Sequence, residues 1–408
     1  MEASFPTRPA QRNIRFFIGY RVISRCYFHL PVLLFYFWVI EMGMYRIITL
    51  LAIYGLSSTF SANLSRWLLH SLSQKQVVAL GELAKALGLG LILWGTRQTE
   101  VSVMLLVIAQ IVGGAGFSIA LSTDAGLLRR IASDGDPQLF MEVQTRTQSQ
   151  MFIATLLAGT AGSLLFDYNE QWPFWASLFT SLLSVVVLLQ IREPAQRTEP
   201  VAIRVETKLR LRPQQQFWML FYSLSRAFTL APFIGFIPFY FIMVNVEPLL
   251  FGAVLSFFTL SAFAAAKAGN VIIQRYGVVI LLTITVALML SALLLFGFSS
   301  ELAGNGIDYF TTGLLAIGLL GLGSGAIRPV TMANLDVSDN SAAEQMRIFG
   351  RMERDFGLMN GVLLLLGAVL LVNWGFEALM LAFSALYLFS MFALIAMRQR
   401  HPTQPLTC

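Results

Sequence analysis

The sequence predicts an all-α membrane protein with twelve transmembrane helices in two pseudo-symmetric six-helix bundles. Three observations carry this reading. Of the 408 residues, 56% are hydrophobic and only 12% are charged, with a mean hydropathy of +0.70. Soluble globular chains carry about 25% charged residues, so this composition excludes a water-soluble enzyme, a disordered chain and a secreted disulfide scaffold. Apolar runs of about 20 residues, enough to cross a bilayer, recur along the whole chain. The two halves of the chain also carry the same short pattern in equivalent runs.

The runs follow in order, each closed by polar residues of alternating character. Spans at 17–39 and 47–69 are separated by Glu41 and Arg46. Arg66, at the end of the second span, and Lys75 flank the connection to the third, at 77–95. Arg97 and Glu100 precede the fourth, at 101–121, and Arg129, Arg130 and Arg146 precede the fifth, at 148–167. Asp167 and Glu170 separate it from the sixth, at 173–191. The second half repeats this with spans at 216–243, 248–269, 278–298, 308–331, 356–374 and 376–397. Its connections alternate between acidic ones (Glu247; Glu301 and Asp308; Glu377) and basic ones (Arg275; Arg347, Arg351 and Arg354). Phe and Gly are abundant, at 33 and 31, as expected where helices face lipid and pack closely.

This alternation sets the orientation. With the N-terminus inside, the inner segments and their flanks hold twenty Lys and Arg, and the outer ones hold only Arg46 and Arg97. Basic residues collect on the cytoplasmic side, so both termini are expected there. The net charge of +6 is explained in the same way, without nucleic acid. The expected organisation is a cytoplasmic N-terminal segment at 1–15, a first bundle at 16–191, a linker at 192–215, a second bundle at 216–397 and a cytoplasmic tail at 398–408. The linker holds three prolines and six basic residues. The first apolar run is too long for a signal core and lacks a small-residue cleavage site, so it is expected to stay as a span. Cys26 and Cys408 do not suggest a disulfide, and His29, His70 and His401 lie too far apart in the chain for a metal site.

The internal repeat is specific in position. Ser24-Arg25-Cys26-Tyr27 is followed by Pro31, and Ser225-Arg226-Ala227-Phe228 by Pro232, with Arg226 lying 201 residues after Arg25. The fourth span of each half is glycine-rich, with Gly113, Gly114 and Gly116 in one and Gly321, Gly323 and Gly325 in the other. Duplicated six-span halves joined by a cytoplasmic linker are the mark of a secondary transporter with its site near mid-membrane between the repeats.

On these features the chain resembles the major facilitator superfamily, and its bacterial exporter-type branch, over residues 15–397. The stretch from Arg21 to Gly88 carries the resemblance most clearly. It implies a monomeric secondary transporter of the inner membrane that rocks between inward-open and outward-open states. The family's loop motif between spans two and three aligns with Arg66, His70, Ser73, Gln74 and Lys75. Only Lys75 matches, and His70 stands where the family has aspartate, so these two are the candidates for an altered conformational latch. The antiporter motif of span five is incomplete: Ala158-Gly159-Thr160-Ala161-Gly162 lacks the proline.

Ionisable residues inside spans need a partner, a wet cavity or a route to the interface, because burying a charge there costs at least about 2.5–3.5 kcal/mol. Six basic residues remain once the loops are counted: Arg21, Arg25, Lys85, Arg226, Lys267 and Arg328. Arg21, Arg25 and His29 are spaced to share one helix face, as a positive stripe or as a snorkelling arginine above packed residues. Arg25 and Arg226 occupy equivalent depths and are expected to hold an anion across one cavity. Tyr27, Phe228 and His29 are the neighbouring candidates for the substrate wall. Glu82 and Asp124 are the acidic residues near or within spans on the cytoplasmic side. Each is a candidate coupling carboxylate or simply half of an ion pair, Glu82 with Lys85 and Asp124 with Arg129 or Arg130.

No P-loop, dinucleotide fingerprint, H-E-x-x-H or G-x-S-x-G is present, so neither an enzyme nor a bound cofactor is expected. The sequence therefore points to proton-coupled efflux, by antiport, of a small amphipathic or anionic organic solute. Uptake of a similar solute, or a sensor, scaffold or scramblase on the same fold, are the alternatives. The expected partners are the solute, protons and the lipid bilayer, with no nucleic acid and a monomeric state.

Overall fold

The computed structural model describes residues 8–61, 64–98, 100–131, 137–192, 211–335 and 342–400. Most of the linker at 192–215, with parts of the N-terminal segment and the tail, lies outside them, as do the side chains of Arg66 and Arg129. The described residues form helices and no strands. In order these are α1 (Arg8–Ile23), α2 (Leu33–Val39), α3 (Met44–Ser61), α4 (Leu64–Leu68), α5 (Gln74–Thr96), α6 (Val103–Ile131), α7 (Pro137–Tyr168) and α8 (Trp172–Leu189). After the linker come α9 (Pro213–Ala231), α10 (Ile237–Met243), α11 (Pro248–Gly297), α12 (Ser299–Gly304), α13 (Tyr309–Gly325), α14 (Ile327–Asn334) and α15 (Ala342–Arg400). Nine described helical stretches are long and apolar enough to cross a membrane.

Two of the longest helices each contain a break. Gly277 in α11 (φ 82°) and Gly375 in α15 (φ 83°) adopt a backbone that side-chain-bearing residues rarely take. Each turns the chain at a predicted boundary between spans. The first span differs from its prediction. Helix α1 stops at Ile23, residues 24–32 are not helical, and helix resumes at Leu33. The face expected to carry Arg21, Arg25 and His29 at helical spacing is therefore interrupted after Arg21. In the second half, Pro232 only widens the helix to a π-turn at Pro232–Phe236 between α9 and α10.

The contacts divide the chain into two compact units. The first comprises residues 1–33 and 56–207. Its core joins Phe17 and Tyr20 of α1 to Val78 of α5, Leu127 of α6 and Leu188 of α8. Helices α5 and α6 meet backbone to backbone. A Cβ at Gly116 would lie 2.6 Å from the Gly81 carbonyl, and one at Gly88 would lie 2.9 Å from the Ala109 carbonyl. The second unit comprises residues 34–55 and 208–408. Its core is aromatic: Phe228 meets Phe383 and Tyr387 at ring separations of 6.0 and 5.2 Å. Phe35 and Trp38 join this unit through Phe251 and Phe239, each at 5.7 Å.

Helix α13 begins at a carboxylate cap. The Thr311 backbone N–H donates to Asp308 Oδ1 at 2.6 Å, and the Thr311 hydroxyl to Oδ2 at 2.9 Å. These bonds, the backbone one foremost, hold the Asp308 carboxyl below its ordinary range. The folded value is thus depressed relative to the unfolded one. The cap is complete above about pH 4 and is lost as pH falls through the folded value. Hydrogen exchange over 309–312, corrected for intrinsic rates, is expected to speed up on acidification in the native chain. In Asp308→Asn it is expected to show no such step.

Candidate functional site

In the first unit the charges cluster around the break in the first span. Arg21, at the end of α1, places Nε 3.1 Å from Asp124 Oδ2 of α6 and donates from Nη1 to Gln144 Oε1 of α7 at 2.8 Å. The Nε contact is an ion pair without an aligned hydrogen bond. Arg21 and Asp124 are 4% and 2% exposed, so Asp124 has a buried partner on another helix. Glu82 and Lys85 of α5 form the expected pair, with Lys85 Nζ 2.6 Å from Glu82 Oε2. Tyr20 of α1 donates to Glu82 Oε1 at 3.2 Å, and Ser184 of α8 to Oε2 at 3.4 Å.

Arg25 has a different environment. Its Nη1 donates to the Tyr27 hydroxyl at 2.7 Å, and its guanidinium lies 5.3 Å from the centre of the Phe117 ring. Among the described residues it has no carboxylate within ion-pair distance, and its Nε has no acceptor. Among the described residues around the break, three cations, Arg21, Arg25 and Lys85, stand with two carboxylates, Glu82 and Asp124, and Arg25 is the one outside both ion pairs. Tyr27 accepts from Arg25, which leaves its own hydroxyl proton available to donate. A half-buried guanidinium beside a hydroxyl donor and an aromatic face is suited to a carboxylate or phosphate.

The break is held by side chains. Lys85 Nζ donates to the Ser24 carbonyl at 3.3 Å, Thr155 Oγ1 to that of Arg25 at 3.2 Å, and Thr180 Oγ1 to that of Cys26 at 3.3 Å. The His29 backbone N–H donates to Ser177 Oγ at 3.2 Å, and its ring Nδ1 shares a 2.8 Å bond with the same hydroxyl. Its ring also lies 5.6 Å from Phe174 and 6.2 Å from Tyr27. Non-helical backbone at membrane depth persists only where such groups are satisfied. A Cβ at Gly162 of α7 would overlap the Phe28 carbonyl oxygen, so the break packs directly on that glycine.

In the second unit Arg226 remains on α9 and is neutralised. Its Nη1 lies 2.8 and 3.0 Å from the two carboxylate oxygens of Glu353 on α15 and also bonds the Tyr222 hydroxyl. Tyr222 in turn donates to Glu353 Oε1 at 2.6 Å, and the guanidinium stacks 4.3 Å from the Phe356 ring centre. The Arg226 and Glu353 side chains are 35% and 39% exposed, unlike the dry pairs of the first unit. Phe228 is 2% exposed and fills the core of this unit. The two repeat arginines therefore have different surroundings.

Of the latch candidates, His70 is exposed in the turn after α4, and Lys75 donates from Nζ to the Ile191 carbonyl at 3.0 Å. That contact places a cation at the C-terminal end of α8, where the helix dipole favours one. Sequence reasoning missed Glu353, because it sits in the run Arg351-Met352-Glu353-Arg354-Asp355, which reads as loop charge. The i, i+4 spacing of Tyr222 and Arg226 was the available signal for that site. Ser177, Thr155 and Thr180 carry no sequence signal, since hydroxyls are common in such spans. Among the described residues no cluster of His, Cys, Asp or Glu could hold a metal ion.

Two helical units with nine described stretches long and apolar enough to cross a membrane, and with buried ion pairs inside them, define a multi-pass membrane transporter. The family model of the Major Facilitator Superfamily matches residues 39–346, and the chain belongs to that family. Among solved structures, the nucleoside transporter NupG superposes with a TM-score of 0.72 at 14% identity, covering 96% of this chain and 99% of that one. An auto-inhibited POT family peptide transporter gives 0.72 at 12% identity, with 96% and 98% covered. A POT family transporter in complex with 5-aminolevulinic acid gives 0.70 at 12% identity, with 98% of each chain covered. These likenesses establish the fold. No curated protein sequence matches the chain.

Proposed function

We propose that this secondary transporter carries a small organic solute bearing at least one anionic group, and that Arg25 is the group that receives it. The observation that supports this most is the guanidinium in the break of the first span, which among the described residues has no carboxylate partner, bonds the Tyr27 hydroxyl and faces Phe117. A half-buried cation without a carboxylate is costly in a membrane span, and an incoming anion relieves that cost. The POT family transporter of the same fold with 5-aminolevulinic acid bound shows a small carboxylate-bearing molecule accommodated by such a bundle. His29, beside Tyr27, supplies a second polar contact for the solute.

The direction is efflux by proton antiport across a bacterial inner membrane with both termini cytoplasmic. The direction and the membrane follow the exporter-type resemblance, and the orientation follows the charge bias. Asp124 is the leading coupling carboxylate, ahead of Glu82. Both are desolvated and ion-paired, so proton uptake at either must break a pair and change the packing around it. His70 and Lys75 act as the latch, through the hold of Lys75 on the end of α8.

Flux in proteoliposomes with and without an imposed pH gradient tests this reading. A candidate anion is expected to accumulate against its gradient only when the pH gradient is present. Arg25→Lys keeps the charge but loses the planar fork, and is expected to weaken anion affinity by roughly tenfold or more, the worth of one charge-assisted hydrogen bond. Normal affinity in well-folded Arg25→Ala protein would sink the assignment. Glu353→Gln is expected to leave the fold intact and the melting temperature close to the native one, because that pair is partly hydrated.

A further inference from the structure

Helix α1 is held at two points by one ion pair of α5. Tyr20, on its last turns, donates to Glu82 Oε1 at 3.2 Å. Lys85, held 2.6 Å from Glu82 Oε2, donates to the Ser24 carbonyl just beyond the helix end at 3.3 Å. The circuit Tyr20–Glu82–Lys85–Ser24 thus starts and finishes on the first span. Three helices supply side-chain donors to consecutive carbonyls of the break, and Lys85 is the only charged donor among them. The Thr180 hydroxyl is also shared with the Ala176 and Ser177 carbonyls of its own helix, at 3.1 and 3.0 Å, which weakens its hold. An ammonium at a helix C-terminus meets the negative end of the dipole, so this is where a cation holds best. The Lys85 ammonium also lies 5.4 Å from the centre of the Tyr27 ring, against the acceptor of Arg25.

We infer that Lys85 is a positioning residue of the Arg25 site: held by Glu82, it fixes the Ser24 carbonyl so that the chain leaves the helix there and Arg25 turns to Tyr27 and Phe117. The inference rests on reading Arg25 as the anion-binding group. Without the ammonium, Ser24 and Arg25 are free to continue α1, which swings the guanidinium away from Tyr27.

Cys26, next to Arg25 and half-buried, is a native reporter. Cys408→Ser leaves it as the one thiol, since the chain has two cysteines. Its rate of modification is measured with neutral N-ethylmaleimide and with two methanethiosulfonates, one bearing a sulfonate and one a trimethylammonium group. Each methanethiosulfonate forms a disulfide with the Cys26 thiolate and releases methanesulfinate. With Arg25 in place, the sulfonate reagent is expected to react about tenfold faster than the cationic one, the effect of one charge about 10 Å away at intermediate dielectric. Glu82→Gln/Lys85→Met removes both charges together, so the local net charge is unchanged. In that variant the N-ethylmaleimide rate is expected to change about tenfold and the charge preference to fall towards one. Simple loosening of the fold would raise all three rates alike and keep the preference.

A double variant that melts with the native protein and keeps both the native N-ethylmaleimide rate and the native preference overturns the positioning role. Should that variant not fold, Glu82→Gln/Lys85→Gln, whose side chain is too short to reach Ser24, is read in the same way. If the native protein shows no preference for the sulfonate, the anion reading of Arg25 fails. The positioning role is then decided by the N-ethylmaleimide rate alone.

Discussion

Asp124→Asn is expected to lower stability by about 3–5 kcal/mol as well as to abolish gradient-driven transport. Arg21 and Asp124 face each other at 3.1 Å with almost no solvent contact. Removing one member of a buried pair leaves the other charge uncompensated, and that, rather than the lost attraction, sets the size of the effect. The Gln144 bond that remains to Arg21 solvates one nitrogen only. Pairing the change with Arg21→Gln removes both charges and is expected to recover more than half of the lost stability, since a neutral polar pair in the same place carries no ionic penalty. It is not expected to recover uphill transport, because the leading coupling carboxyl is gone and Glu82 stays paired with Lys85. Thermal unfolding and proteoliposome flux of the three proteins separate the two roles. Unchanged uphill transport in Asp124→Asn moves the coupling elsewhere, and an unchanged melting temperature means that Arg21 finds another partner.

The second large effect is expected at Gly162→Ala. The new methyl group would occupy the space of the Phe28 carbonyl oxygen, with the Phe28 carbonyl carbon at 2.6 Å and its Cα at 2.9 Å. These are backbone atoms, so no rotamer change relieves the overlap, and the break must move off α7. Overpacking of this kind costs about 1–3 kcal/mol. The functional loss is expected to exceed the stability loss, because the displaced segment carries Arg25, Tyr27 and His29. Gly90→Ala is the matched control: its Cβ would meet only Leu178 Cδ1 at 3.6 Å, an ordinary contact. Anion binding that survives in Gly162→Ala would show that the break tolerates displacement and that its position does not set the site.

Much of the architecture was legible in the chain because lipid imposes a simple rule. Each span needs about 20 apolar residues and an internally satisfied backbone, so hydropathy alone places α5 and α8 within a few residues of their observed ends. The residues Gly277 and Gly375 mark turns for a local reason, their freedom at positive φ. The Glu82–Lys85 pair was legible because i, i+3 neighbours on one helix must meet. The Arg21–Asp124 and Arg226–Glu353 pairs were not, because their partners lie on other helices, 103 and 127 residues away along the chain.

The repeat shows most directly where the sequence stops. Both halves carry Ser-Arg, a small residue, an aromatic residue and a proline six positions after the arginine, a repeat that the sequence by itself displays. It also determined the membrane class and the duplicated halves. Only the tertiary structure decided that one copy unwinds and the other stays helical. Proline removes one donor and crowds the preceding turn, but whether a helix breaks there depends on what can satisfy the freed groups. Around Arg25, the side chains of Lys85, Thr155, Thr180 and Ser177 reach in from three other helices to do so. Around Arg226 the nearby Thr229 hydroxyl bonds within its own helix, to the Ser225 carbonyl at 2.9 Å, and Phe228 is locked in an aromatic core. Among the described residues one arginine is thereby left without a carboxylate while its counterpart is held by Glu353, a difference that neither local pattern contains.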